Sequence, residues 1–538
     1  MRVWRLAVLL VPAIAFPDEA GYVGSKTCAG CHASIYQSFR HTAMGRSLVP
    51  AADPSQGQLA PEPVTVTHPR FPRTLRVWRE GGALYQSEAQ AGVFETKYRL
   101  EYAIGSGVNG YTYLVKRGEH LFQAPLSYYS RVGKWDLSPG YESGDYAFSR
   151  PVAEGCVVCH SGRARPVVGQ PGRYESPPFA DAAIGCENCH GPGSLHAAGR
   201  GPIVNPARLA PRLAEQICMF CHQGGDTRVL QPGKRYQDFR PGSWLNETLA
   251  IGNLATTQRD ADLLEHHNAM QASRCFRASA GKLSCLTCHN PHIEPKQKAE
   301  YYRTRCRGCH TRASCSAVPA QRRAQADDCT ACHMPKRGDA VISHAALTHH
   351  RIVRRPDAPA PAPQPAGEGI IYVNAELGNQ RLAPVTLLHM YGELIAREPG
   401  LQERYLALLE KVAAGDPKDP LVLAALGRRE VRENDPAATA RAVEHLSGAI
   451  ERGFTGSAAF EDLAEALSRT GRVADAVTVL ERGLVFEPFA QVLYKSLALR
   501  YITLQSYDQA RATMKRYIEL FPEDDFMRDL LVQVGVRP

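Results

Sequence analysis

The sequence predicts a mainly α chain in two parts. A region of short helices and loops, packed around covalently attached groups and carrying a small inserted antiparallel β-sheet, is followed by an α-solenoid. Three observations carry this. Two cysteines three residues apart, with a histidine directly after the second, recur seven times before residue 334. Between residues 62 and 130, β-branched and aromatic residues alternate with polar ones. Beyond residue 368 the chain is similar to itself at an interval of 34 residues.

The seven motifs, numbered sites 1 to 7 in chain order, are Cys28-Cys31-His32, Cys156-Cys159-His160, Cys186-Cys189-His190, Cys218-Cys221-His222, Cys285-Cys288-His289, Cys306-Cys309-His310 and Cys329-Cys332-His333. CxxCH is the attachment signature of c-type haem: both thiols form thioethers to the porphyrin, and the next histidine becomes an axial iron ligand. Zinc knuckles also use CxxC pairs, but zinc does not require histidine after every second cysteine. The pattern therefore predicts seven covalently bound haems. Consecutive motifs start as little as 21 residues apart, too little protein to bury each haem separately, so the haems must pack against one another.

The chain opens with Met1-Arg2-Val3-Trp4-Arg5 and an apolar run from Leu6 to Ala15 ending Ala13-Ile14-Ala15. A charged start, a short apolar core and small residues at its end describe a secretory signal over residues 1–15. The run is too short to span a bilayer, and no later stretch is apolar enough to do so. The expected mature protein is soluble, periplasmic or otherwise exported, where haem c is attached. Fourteen of the 16 cysteines lie in motifs, leaving Cys275 and Cys315, expected as a disulfide or as two buried thiols. The formal charge of +9 carries no nucleic-acid inference, because the haem propionates oppose it.

At 538 residues the chain is too long for one ordinary core. Residues 16–355 are expected as the haem domain, with 62–130 as its β-rich insertion: Val64–Thr67, Thr74–Trp78 and Tyr111–Val115 alternate, and Gly81-Gly82 and Arg117-Gly118 read as turns. Residues 356–367 are rich in Pro and Ala, a semi-rigid linker. In 368–538, Leu463 aligns with Leu497, Ala476 with Ala510, Leu480 with Met514 and Pro488 with Pro522, while Ala442 and Leu446 fall in register one period earlier. These positions resemble the tetratricopeptide repeat, a helical hairpin that buries its apolar face against its neighbours. A linker of this kind predicts that a cut after residue 355 leaves the haem spectrum intact.

Each iron needs a second axial ligand. Ten histidines outside the motifs precede the linker: His41, His68, His120, His196, His266, His267, His292, His344, His349 and His350. His41 follows site 1 on one helical segment. His196 and His292 follow Gly/Pro turns just after sites 3 and 5, which lets each reach a neighbouring iron. His344 follows site 7, and His266 or His267 precedes site 5. His68 and His120 fall in the expected sheet and read more naturally as ordinary surface residues, while His349 and His350 read as partners of other ligands. The segments YVGSKTCAGCHASIYQSFRHTAM, GCENCHGPGSLH, CLTCHNPH and CHMPK with ISHAALTHHRI resemble the multihaem cytochrome c superfamily. That group includes hydroxylamine oxidoreductase, its tetrahaem cytochrome partner and pentahaem nitrite reductase. The resemblance implies His41, His196, His292 and His344 as distal ligands and closely stacked haem pairs. The chain departs from the enzymes of the group: it has no CxxCK motif, and no tyrosine motif matches the cross-linked tyrosine of the oxidoreductase.

Two functions follow. Two imidazoles per iron leave no open position, which makes the chain an electron-transfer protein with redox partners, its solenoid docking a protein or peptide. With one haem left open, it becomes an oxidoreductase of a small nitrogen or sulfur compound.

Overall fold

A computed structural model describes residues 21–56, 59, 63–142, 144, 146–255, 265–311, 315–334, 348–355, 369–374, 382–415, 418–433 and 435–535. The expected signal (1–15), the expected linker (356–367) and His344 lie outside the described residues.

The β-rich insertion is larger than its expected bounds. Its eight antiparallel strands run in the order Arg150–Pro151, His120–Gln123, Thr112–Arg117, Phe94–Ile104, Ala83–Gln90, Thr74–Glu80 and Val64–Thr67, with Leu48–Pro50 also paired to Phe94–Ile104. The alternation works as read: Leu75, Val77, Tyr113 and Val115 point into a core with Phe122, Leu126 and Trp135. Gly81 and Gly82 turn the hairpin with φ of 57° and 81°, a conformation that costs glycine nothing. The two outlying strands were not legible because they are two or three residues long.

One charge pair lies inside this sheet. Arg73 Nη1 bonds Glu88 Oε1 at 3.0 Å, with both side chains almost completely buried. Removing one partner leaves the other charge desolvated. Arg73→Met is therefore expected to cost about 3–5 kcal/mol, read as a lower midpoint in chemical denaturation.

The C-terminal half is a run of helical hairpins: Pro420–Arg432 with Pro436–Glu451, Ser457–Arg469 with Val473–Phe486, Gln491–Thr503 with Tyr507–Leu520, then Asp525–Gly535. The 34-residue register is the packing register. Ala442, Ala476 and Ala510 are completely buried, as are Leu446, Leu480 and Met514. Small residues let adjacent helices approach, and the large ones fill the space between hairpins.

The boundary between the halves differs from the expected one. Strand Ile370–Tyr372 pairs with Leu249–Leu254, which pairs in turn with Thr227–Leu230. Helix Pro384–Leu394 packs on this sheet, burying Met390 against Val229 and Ala250. Thr386 Oγ1 donates to Gln231 Oε1 at 2.7 Å, Thr227 Oγ1 to Glu393 Oε2 at 2.6 Å, and Asn374 Nδ2 to the Leu249 carbonyl at 2.7 Å. The cause is in the strand: Leu249–Leu254 is buried at every position, so both its faces need cover. Residues beyond the expected linker supply it.

Candidate haem sites

Each motif lies on or beside a short helix, and this sets its geometry. At sites 1, 3, 5 and 6 the histidine N–H bonds the carbonyl of the first cysteine four residues back: His32 to Cys28 at 2.9 Å, His190 to Cys186 at 3.0 Å, His289 to Cys285 at 2.9 Å and His310 to Cys306 at 2.9 Å. One helical turn thus places positions i, i+3 and i+4 on one face, both thiols beside the imidazole.

Hydrogen bonds orient several of these rings. His190 Nδ1 and His333 Nδ1 each lie 2.8 Å from a backbone carbonyl, of Val204 and Val353. A proton on Nδ1 leaves Nε2 with the lone pair that a metal requires. Burial lowers the basicity of His222, His289 and His292, which keeps these rings neutral.

Distant histidines come to face the motif rings. His32 and His196 have centroids 6.3 Å apart with planes 11° apart; His190 and His292 lie at 6.0 Å and 9°. His289 faces His350 at 6.1 Å, and His222 faces His266 at 5.6 Å. These separations exceed ring-on-ring contact. With a metal–nitrogen bond of about 2.0 Å and about 1.1 Å from nitrogen to ring centre, two imidazoles sharing one ion stand about 6 Å apart. The donor set therefore fits a haem iron between each pair. Apolar side chains stand exposed beside these ligands, Ile35, Leu195 and Ile293, a surface suited to a porphyrin face.

Motif thiols also approach one another across sites. Cys28 lies near Cys186, Cys159 near Cys221, Cys218 near Cys285, and Cys306 near Cys329. Sites 1 and 3, 2 and 4, 4 and 5, and 6 and 7 are thus direct neighbours. Among the described residues all 16 cysteines are free. Cys275 is half-buried and Cys315 exposed, so the expectation of two buried thiols fails for Cys315.

The other candidate ligands fall elsewhere. His41 ends helix Ala33–Arg40, exposed to solvent. His68 is buried, contrary to a surface reading: its Nδ1 accepts from the Arg70 and Phe71 amides and its Nε2 lies 3.3 Å from the Tyr141 carbonyl. His120 is buried too, against Phe122 and Phe489. His267 Nε2 pairs with buried Glu215 at 3.1 Å. His349 and His350 differ in kind. His349 Nδ1 accepts the Arg351 amide at 3.0 Å, whereas His350 Nδ1 lies 3.1 Å from the Thr348 carbonyl. Only the second arrangement leaves Nε2 with a lone pair. Burial and His289 pull the His350 pKa down to about 4. His350 thus stands opposite His289, a position the sequence reading missed. Two adjacent histidines differ only in what their Nδ1 atoms meet, and that depends on the fold.

No protein-family model matches the chain. It is 25% identical over 251 residues to the multihaem cytochrome MtrA of Shewanella baltica, covering 42% of this chain and 68% of that protein. The chain is similar to multihaem c-type cytochromes. A second relative, the polyhaem cytochrome OmcB of Geobacter sulfurreducens, is 31% identical over 149 residues, 25% of this chain but only 19% of OmcB. These relatives support covalently bound haem c. Among solved structures, the outer cell wall cytochrome OcwA is 15% identical with a TM-score of 0.41, covering 90% of this chain and all of that one. Among the described residues no helix is long and apolar enough to cross a membrane.

Proposed function

We propose that the chain is an exported electron-transfer protein that holds seven haems c at its CxxCH motifs. The observation that carries this is the set of facing imidazoles about 6 Å apart. His32 with His196, His190 with His292, His222 with His266 and His289 with His350 would each hold one iron on both axial sides. Haem iron supplies one-electron ferric/ferrous chemistry, with an accessible potential set by its axial ligands and surroundings. At these four sites the protein's own part is to fill both axial positions, exclude small ligands and keep the sites adjacent. The proximity of the thiols of sites 1 and 3, 2 and 4, 4 and 5, and 6 and 7 supports passage of electrons between neighbouring haems rather than chemistry at one of them. Redox proteins would serve as partners, and the solenoid would offer a docking face to one of them.

Electron paramagnetic resonance of the oxidised protein tests this, together with carbon monoxide, nitrite and hydroxylamine titrations. The expected result is low-spin signals and no ligand binding. A high-spin iron that binds and turns over a nitrogen compound would instead establish the oxidoreductase.

A further inference from the structure

The repeat array meets the large sheet along one edge, and the meeting points recur with the repeat. Thr455, Phe489 and Glu523 stand in successive inter-repeat turns, each 34 residues from the last. Thr455 lies so close to Gly169 that a Cβ there would stand 3.2 Å from its side chain. Phe489 packs edge-on against Phe122 at 4.9 Å and His120 at 5.1 Å, and it belongs to the borders of both the sheet core and the last repeat core. Just before Glu523, Leu520 and Phe521 meet Arg117 of the sheet.

Arg117 is the centre of this contact. It stands on strand Thr112–Arg117 with 8% of its surface exposed. Its guanidinium carbon lies 4.6 Å from the Phe489 ring and 5.8 Å from Phe521, both of the array, and 5.3 Å and 5.6 Å from Phe122 and Tyr98 of the sheet. Nη2 donates to the Leu520 carbonyl at 2.7 Å, while Nη1 donates to the Phe148 carbonyl at 3.2 Å. A desolvated cation is tolerated only where acceptors and aromatic faces surround it, and here half of them come from the array.

We propose that the array is an intramolecular clamp: its turn edge grips the sheet around Arg117, and its occupant along that edge is the chain's own haem region. The grip is placed on both sides of site 2. Strand His120–Gln123 pairs with Arg150–Pro151, just before Cys156, and Gly169 follows His160 by nine residues. At its other end, helix Pro384–Leu394 holds the strands beyond site 4. Sites 2 and 4, which lie close together where the Cys159 sulfur reaches the Phe220 carbonyl beside Cys221, are splinted from both ends. This goes beyond the electron-transfer reading and does not depend on it. An external partner is left the faces of the array away from the turns.

Hydrogen–deuterium exchange on the full-length, haem-loaded protein tests the clamp with Arg117→Met, which removes the cation, and Phe489→Ser, which changes only the array. Amides at the turns near 455, 489 and 521 and in strand His120–Gln123 are expected to exchange at least tenfold faster in both variants, with Soret absorbance retained. Val485→Ser, on an exposed array position, should change nothing. If Arg117→Met loses its haems, Phe489→Ser decides alone. Unchanged exchange at the edge in Phe489→Ser, or equal loosening by Val485→Ser, would overturn the clamp.

Discussion

A chain cut after residue 355 is expected to lose low-spin ligation at site 4, while one cut after residue 398 keeps it. The first cut removes strand Ile370–Tyr372 and helix Pro384–Leu394, and with them the cover over Leu249–Leu254. Val229 and Ala250, now buried against Met390, would face water. Exposing Val229 alone costs about 1.5–3 kcal/mol, against a total stability of about 5–15 kcal/mol. The Asn374 bonds to Leu249 and Ile251 go as well, leaving backbone groups of a central strand without partners. The strands lie between Cys218-Cys221-His222 and His266, so their collapse would separate His222 from the ring that faces it. The second cut spares all these contacts, although it removes the array that packs on Leu388 and on Arg117. The spin state of the oxidised irons and the urea midpoints of the two truncated chains decide the matter. Equal spectra would mean that the haem region folds without help from beyond the linker.

The part of the fold that was legible in sequence is the part that repeats or alternates. Alternation of Leu75 and Val77 with polar neighbours, and the double glycine at 81 and 82, specify a hairpin locally. The 34-residue spacing of Ala442, Ala476 and Ala510 specifies hairpins that need one another. The strand Leu249–Leu254 has no polar alternation because both its faces are buried, and a run of that kind reads equally as helix or strand. What covers it depends on contacts more than 100 residues apart, as in Leu254 with Ile370. The extended reading of the Pro/Ala stretch concerned only that stretch, and it does not reveal that the chain after it returns to the same sheet. The CxxCH sites are local by nature: one helical turn brings two thiols and one imidazole together. Axial partners are non-local. His196 and His292 were within reach of reasoning because Gly/Pro turns place them just beyond a motif. His350 was not, since its distinction from His349 lies in one carbonyl.

Replacing His350 is therefore expected to convert one iron of seven to high spin, whereas replacing His349 converts none. His350 faces His289 at 6.1 Å with its Nε2 free of the proton, which the Thr348 carbonyl draws to Nδ1. His349 presents the opposite tautomer, its Nδ1 already accepting from Arg351. A ring with a proton on Nε2 cannot ligate through that atom. The same argument extends to His196→Ala and His292→Ala, whose rings stand 6.3 Å and 6.0 Å from His32 and His190. Each should yield one high-spin signal in the oxidised protein and open one iron to carbon monoxide in the reduced protein, with the haems still attached through their thioethers. Added imidazole should enter the space left by the deleted ring and restore the low-spin spectrum, an outcome that a merely unfolded site would not give. His266 adds a constraint, because it stacks on His350 at 4.1 Å while facing His222 at 5.6 Å. Loss of the His350 ring should thus also perturb the signal of site 4, so that His350→Ala alters two irons unequally where His196→Ala alters one. A low-spin spectrum unchanged in His350→Ala, or the same loss in His349→Ala, would reverse the assignment.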